Sequence, residues 1–122
     1  MARILVAEDE ASVAAFIERA LKGLGHEVAH APDGLAAVSA LAAGRFDLLL
    51  SDIVMPGLDG IALALKAAKD YPEMKILLMS GYAGERQRAH NLEALAHHVL
   101  AKPFTLADLC AAVEATLAGE EA

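Results

Sequence analysis

The sequence is poor in several things that whole classes of protein need. Its one cysteine, Cys110, excludes an internal disulfide and a cysteine-rich zinc site. With no tryptophan and only 4% aromatic residues, it lacks the means for a base-stacking surface or an aromatic cage. Ten Lys and Arg residues are scattered along the chain and outnumbered by 17 Asp and Glu, leaving a net charge of −7 and no basic patch. Nucleic-acid binding, which runs on cationic neutralisation of phosphates, is not expected. No apolar run approaches the ~18 residues of a membrane span. Met1-Ala2-Arg3-Ile4-Leu5-Val6 enters a strand directly, without signal-peptide architecture. The expectation is a cytoplasmic protein with no membrane contact.

What is present is apolar and regular. Apolar residues make up 57% of 122, enough for one real core and far from the composition of a disordered chain. Short apolar runs at 3–7, 27–30, 46–52, 75–79 and 99–101 read as strands. The run at 46–52 is the most solid; it drives into Asp52 and is followed by a turn at Pro56-Gly57. Such runs typify strands covered on both faces.

Between the strands the period becomes helical. Val13, Phe16, Ile17, Ala20, Leu21 and Leu24 mark a first helix, and Leu35, Val38, Leu41 and Ala42 a second, stopped near Gly44. A third runs over 61–71, closed by Pro72. The segment 84–97 is polar, with Ala89, Leu92 and Leu95 or Ala96 as its apolar stripe, and is expected to be the least stable element. In the last helix Leu106, Leu109, Cys110, Val113 and Leu117 recur behind Thr105 as N-cap, before an acidic tail at 119–122.

Strand and helix therefore alternate five times. That pattern implies an α/β, doubly wound fold: a five-stranded parallel sheet with helices on both faces, a three-layer sandwich. Ligands of such sheets sit at the carboxyl ends of the strands. Strand one ends in Glu8 and Asp9, strand three in Asp52, strand four in Ser80 and strand five in Lys102.

Three carboxylates at ~5 Å and an effective dielectric of ~20 cost ~3 kcal/mol per pair. One lysine offsets only part of that. A hard divalent cation with oxygen ligands would offset the rest, and Mg²⁺ typically takes one or two carboxylates, waters and a phosphate. A cation, a lysine, a hydroxyl and a carboxylate left to react suit phosphoryl transfer onto that carboxylate. No histidine or cysteine nucleophile stands at a strand end, so Asp52 is the candidate nucleophile.

Five motifs in order carry a family resemblance over almost the whole chain: Glu8-Asp9, Asp52-Ile53-Val54-Met55-Pro56, Asp59-Gly60, Ser80-Gly81 and Lys102-Pro103-Phe104. The sequence resembles the response-regulator receiver domain, the CheY-like family. The resemblance implies the flavodoxin-like (βα)5 fold with strand order 2-1-3-4-5. It implies that Asp52 accepts a phosphoryl group from a histidine kinase or histidine phosphotransfer protein. By the same resemblance Asp9, Asp52 and the main-chain carbonyl of Val54 ligate Mg²⁺, and Glu8 acts through water. Lys102 then binds the phosphoryl group, Ser80 swings toward it, and the Lys102-Pro103 bond is cis. Val54 and Tyr82 occupy the positions that tune phosphoryl lifetime in the family.

One position departs from the pattern. Receivers commonly carry Tyr or Phe three residues before the lysine, where this chain has Val99. Without that ring, the signal is expected to pass through Ser80 and the loop 81–84 into the segment 84–97.

Plainer readings compete for some of these residues. Glu8, Asp9 and Glu10 could simply favour the positive end of the first helix, but Asp52 and Lys102 would stay unexplained. His97-His98 is a poor metal pair, because adjacent strand residues point to opposite faces. His26, His30 and His90 read as surface residues, Cys110 as core, and the four methionines as packing.

The expectation is one receiver domain over 1–122 with no output domain, working as a phosphorylation-dependent binding switch, as a monomer or a phosphorylation-dependent dimer. Its output is a downstream protein partner, met through the segment 84–97, the fifth strand and the last helix. Among single-domain receivers it most resembles the CpdR-type group, which implies an adaptor role with an AAA+ protease complex. Two alternatives stand beside this: a phosphorelay intermediate or phosphate sink, and a Mg²⁺-dependent phosphohydrolase. The second lacks a visible further acid-base group or capping insertion.

Overall fold

β1 (Arg3–Ala7), β2 (Glu27–Ala31), β3 (Leu48–Asp52), β4 (Lys75–Ser80) and β5 (His98–Ala101) form one sheet in the order β2-β1-β3-β4-β5. The structure, a computed structural model, describes residues 1–81 and 98–119. Every neighbouring pair is parallel, with Ala7 opposite both Ala31 and Ser51, and Asp52 opposite Met79. Among the described residues four helices connect or follow these strands: α1 (Ala11–Gly23), α2 (Gly34–Ala43), α3 (Gly60–Asp70) and α4 (Leu106–Ala118). The expected doubly wound sandwich is the observed one. The expected helix at 84–97, with Tyr82 and His90, lies outside the described residues.

The two faces of the sheet follow from side-chain alternation. Leu5, Leu49, Ile76 and Leu78 pack with α2 and α3, while Ile4, Val6, Leu48, Leu50, Leu77 and Met79 pack with α1 and α4. Leu48, Leu49 and Leu50 are all fully buried. At ~2 kcal/mol for each buried leucine, β3 is the anchor of both core layers.

Caps define where the helices begin. Asp33 accepts from the Ala36 N–H at 2.8 Å and Asp59 from the Ala62 N–H at 2.9 Å. Thr105 caps α4 as expected, and Asp108 returns the bond to the Thr105 N–H, which completes a capping box.

Several side chains lie elsewhere than their spacing suggests. In α1 the buried positions are Ala14, Ile17 and Leu21, whereas Phe16 and Leu24 are exposed. Phe16 instead meets Phe104 at 6.4 Å between ring centroids. In α2, Gly34, Ala37 and Leu41 are buried and Leu35 is 66% exposed. That helix approaches so closely that a Cβ on Gly34 would collide with Leu58. Cys110 is half-buried rather than core, one position off the stripe of Leu109 and Val113. Met1 is exposed, unlike Met55, Met74 and Met79.

His26 is not a surface residue: its side chain is 7% exposed. Its Nδ1 accepts from the Ala2 N–H at 3.0 Å, so Nε2 carries the proton and donates to Glu114 Oε1 at 3.1 Å. It thereby ties the entry to β1 to α4. Among the described residues no helix is long and apolar enough to cross a membrane.

Candidate functional site

The strand order reverses between β1 and β3, and the carboxyl ends of those two strands carry Glu8, Asp9 and Asp52. Alternation along β1, β3 and β5 places Glu8, Asp52 and Lys102 on the face of Val6, Leu50 and Leu100. The geometry agrees. Lys102 Nζ lies 2.9 Å from Asp52 Oδ2 and 3.0 Å from Glu8 Oε1. One ligand atom each from Glu8, Asp9 and Asp52 fall within 4.8 Å of one another.

Burial sharpens the electrostatics. Glu8 is fully buried and Asp52 is 7% exposed. Desolvation pushes the Glu8 carboxyl above the ordinary carboxylate value, against the opposing pull of the Glu10 N–H and of Lys102. Burial alone would lower the Lys102 ammonium, but its hydrogen bonds to Asp52 and Glu8 win and raise it. The lysine stays charged because two carboxylates hold it.

An open cleft of about 630 Å³ begins at Asp9, Asp52 and Lys102, and its lining includes Val54 and Gly81 together with the apolar Val13, Phe16, Pro103 and Phe104. A larger cleft of about 1000 Å³ lies at the amino ends of the strands, around Arg3, His26 and Glu114, and holds none of Glu8, Asp9, Asp52, Ser80 and Lys102. The Lys102-Pro103 bond is cis.

Two glycines shape the loop after Asp52. Gly57 has φ +75°, a left-handed conformation that suits glycine. Gly60 lies against the chain at Asp52, where a Cβ would overlap the Asp52 carbonyl oxygen, and its N–H donates to the Ile53 carbonyl at 2.8 Å. The glycine of the Asp59-Gly60 motif thus seats the loop after Asp52 on α3, a role its sequence position alone did not disclose.

Not every expected residue meets in the cleft. Ser80 is 1% exposed, shares the face of Ile76 and Leu78, and is not part of the cleft lining, to which Gly81 contributes instead. Val54 lines the cleft and is exposed. Val99 is half-buried against the α2–α3 layer. Glu10 is the N-cap residue of α1 but makes no side-chain cap, while Glu8 and Asp52 turn to Lys102 instead.

A parallel 2-1-3-4-5 sheet with acidic groups at its switch point and a lysine just past the far strand defines a doubly wound α/β domain with a charged cleft at the carboxyl ends of its strands. The chain matches the family described as the response regulator receiver domain over residues 4–114. It is 39% identical over 117 residues to the response regulator receiver protein CpdR of Brucella abortus, covering 96% of this chain and 98% of that one. It is equally 39% identical over 117 residues to the transcriptional regulatory protein PrrA of Mycobacterium tuberculosis, but spans only 49% of PrrA.

Among solved structures, CheY4 of Vibrio cholerae superposes with a TM-score of 0.88 at 25% identity, over 95% of this chain and 98% of that one. TrrA of Thermotoga maritima, in complex with Mg²⁺-BeF, gives 0.84 at 30% identity over 93% and 97%. This chain belongs to the response regulator receiver domain family, the signalling domain of two-component systems. Receiver domains generally use Mg²⁺ at an acidic pocket, and Glu8, Asp9 and Asp52 form an acidic cluster at the carboxyl ends of β1 and β3.

Proposed function

We propose that Asp52 is the phospho-acceptor of a stand-alone response regulator whose phosphorylation switches a protein-binding surface. The observation that carries this is the Lys102 ammonium 2.9 Å from the Asp52 carboxylate, beside two further acidic groups. A carboxylate oxygen of Asp52 attacks the phosphorus of a phosphohistidine. The P–O bond forms as the P–N bond breaks, and the leaving imidazole takes up a proton. Lys102 stays within reach of the transferred oxygens, and its charge opposes theirs.

The donor set fits Mg²⁺, a hard cation that favours carboxylate and carbonyl oxygen. Asp9, Asp52 and the Val54 main-chain carbonyl would hold it, with Glu8 acting through water, and it would neutralise charge on the phosphoryl oxygens. The Ser80 hydroxyl is assigned to the phosphorylated state, turning toward the transferred group.

Similarity to CpdR across nearly the full length of both chains supports a single domain over 1–122 without an output domain. The same similarity supports a protein partner as the output, and in particular control of regulated proteolysis with an AAA+ protease complex. The donor would be a histidine kinase or a histidine phosphotransfer protein.

Acetyl phosphate with Mg²⁺ should add one phosphoryl group, read by intact-protein mass, and Asp52→Asn should add none. Equal labelling of the variant would sink the assignment. Affinity capture with beryllofluoride-treated protein beside Asp52→Ala then separates a switch from a relay. A partner retained by one state alone excludes a purely relaying role.

A further inference from the structure

We propose that His30 is a positioning residue for the acidic turn, holding the peptide that carries Asp9; this rests on the reading of Asp9 as a Mg²⁺ ligand. The β1–β2 ladder runs in register to Ala7 and Ala31, and the Glu8 N–H extends it by donating to the Ala31 carbonyl at 3.1 Å. β2 then ends, and the chain turns at Pro32 toward the Asp33 cap of α2. The Glu8 carbonyl, next along β1, is met by the His30 imidazole, whose Nε2 lies 2.8 Å away.

A carbonyl oxygen only accepts, so Nε2 is the donor. The Glu8 carbonyl and the Asp9 N–H belong to one planar peptide. A bond to that carbonyl therefore restrains ψ of Glu8 and φ of Asp9 together, and with them the direction in which the Asp9 carboxylate leaves the chain. The neighbouring Glu8 side chain has its own restraints, the Lys102 ammonium at 3.0 Å and the Glu10 N–H at 3.1 Å. Asp9 is exposed at the mouth of the cleft and depends on the peptide beneath it. His30 is itself exposed, so its ring contributes little packing that could explain its orientation.

Outer partners of this kind commonly tune metal affinity by orienting the ligand. The test is Mg²⁺ titration calorimetry on the full chain, with thermal unfolding in EDTA measured for each variant. His30→Phe, which fills the space without a donor, should bind Mg²⁺ about threefold to tenfold more weakly. His30→Gln, whose amide N–H reaches the same position, should restore the affinity, and unfolding in EDTA should be alike in all three proteins. Wild-type affinity in His30→Phe, or no recovery in His30→Gln, overturns the role of His30. Asp9→Asn is titrated alongside. If it loses affinity while His30→Phe does not, the role of His30 alone falls; if it binds as wild type does, the metal assignment falls with it.

Discussion

Glu8 and Lys102, 94 residues apart, form a 3.0 Å ion pair in which the carboxylate is fully buried. The same ammonium holds Asp52, so one lysine joins the carboxyl ends of β1, β3 and β5. Two carboxylates competing for one cation leave a surplus of negative charge at the mouth of the cleft, and Asp9 adds to it.

That pair should be costly to break from the buried side. Glu8→Ala removes the partner and leaves a cavity, and about 2–3 kcal/mol of stability should be lost. Glu8→Gln keeps the shape and an acceptor for Lys102, and should cost under about 1 kcal/mol. Urea denaturation of both variants provides the check, and the reverse order would contradict the structural role.

Asp9 is exposed, so Asp9→Asn should leave the folded state intact while weakening Mg²⁺ binding by about tenfold or more. Circular dichroism reports the first and calorimetric titration the second. Equal Mg²⁺ affinity in the variant would count against the metal assignment.

Gly60→Ala should damage both the fold and the reaction. The added methyl overlaps the Asp52 carbonyl, part of the main chain, so the α3 start or the loop after Asp52 must move. A loss of about 2–4 kcal/mol is expected, with slower acetyl phosphate labelling at a temperature where the variant remains folded. An unchanged labelling rate would show that the loop tolerates the shift.

His26 offers the opposite pattern. His26→Ala removes the bonds to Ala2 and Glu114 at the amino ends of the strands, and should cost about 1–3 kcal/mol in thermal or urea unfolding. Because none of its described contacts reach the cleft at Asp52, labelling of the folded variant by acetyl phosphate should match wild type. A large loss of labelling would reveal coupling between the two ends of the sheet.

Much of the site was legible because strand ends are marked by local chemistry. An apolar run that stops at a charged residue declares both the strand and its exit, and the two-residue period even assigns the face. Val6 and Glu8, Leu50 and Asp52, Leu100 and Lys102 each lie two apart, and all six point the same way. The same parity puts Ser80 with Leu78 on the other face, a distinction the strand-end inventory passed over. Helix faces were harder to read. Phe16 and Leu35 fit an apolar period, yet what a helix buries depends on where its neighbours stop. Phe16 faces a cleft, and α2 is pulled in by the absence of a side chain at Gly34.

By itself the sequence determined the element types, the alternation that makes the sheet parallel, and which polar groups stand at strand ends. Those follow from periodicity and turn chemistry within a few residues. Tertiary structure alone decided that Lys102 serves Glu8 as well as Asp52, that Gly60 lies against the Asp52 carbonyl, that His26 joins Glu114, and that His30 reaches the Glu8 carbonyl. Each of these is a contact a few ångströms long between segments 8 to 94 positions apart in the chain. Such distances are set by how layers pack, and no local pattern of residues encodes them.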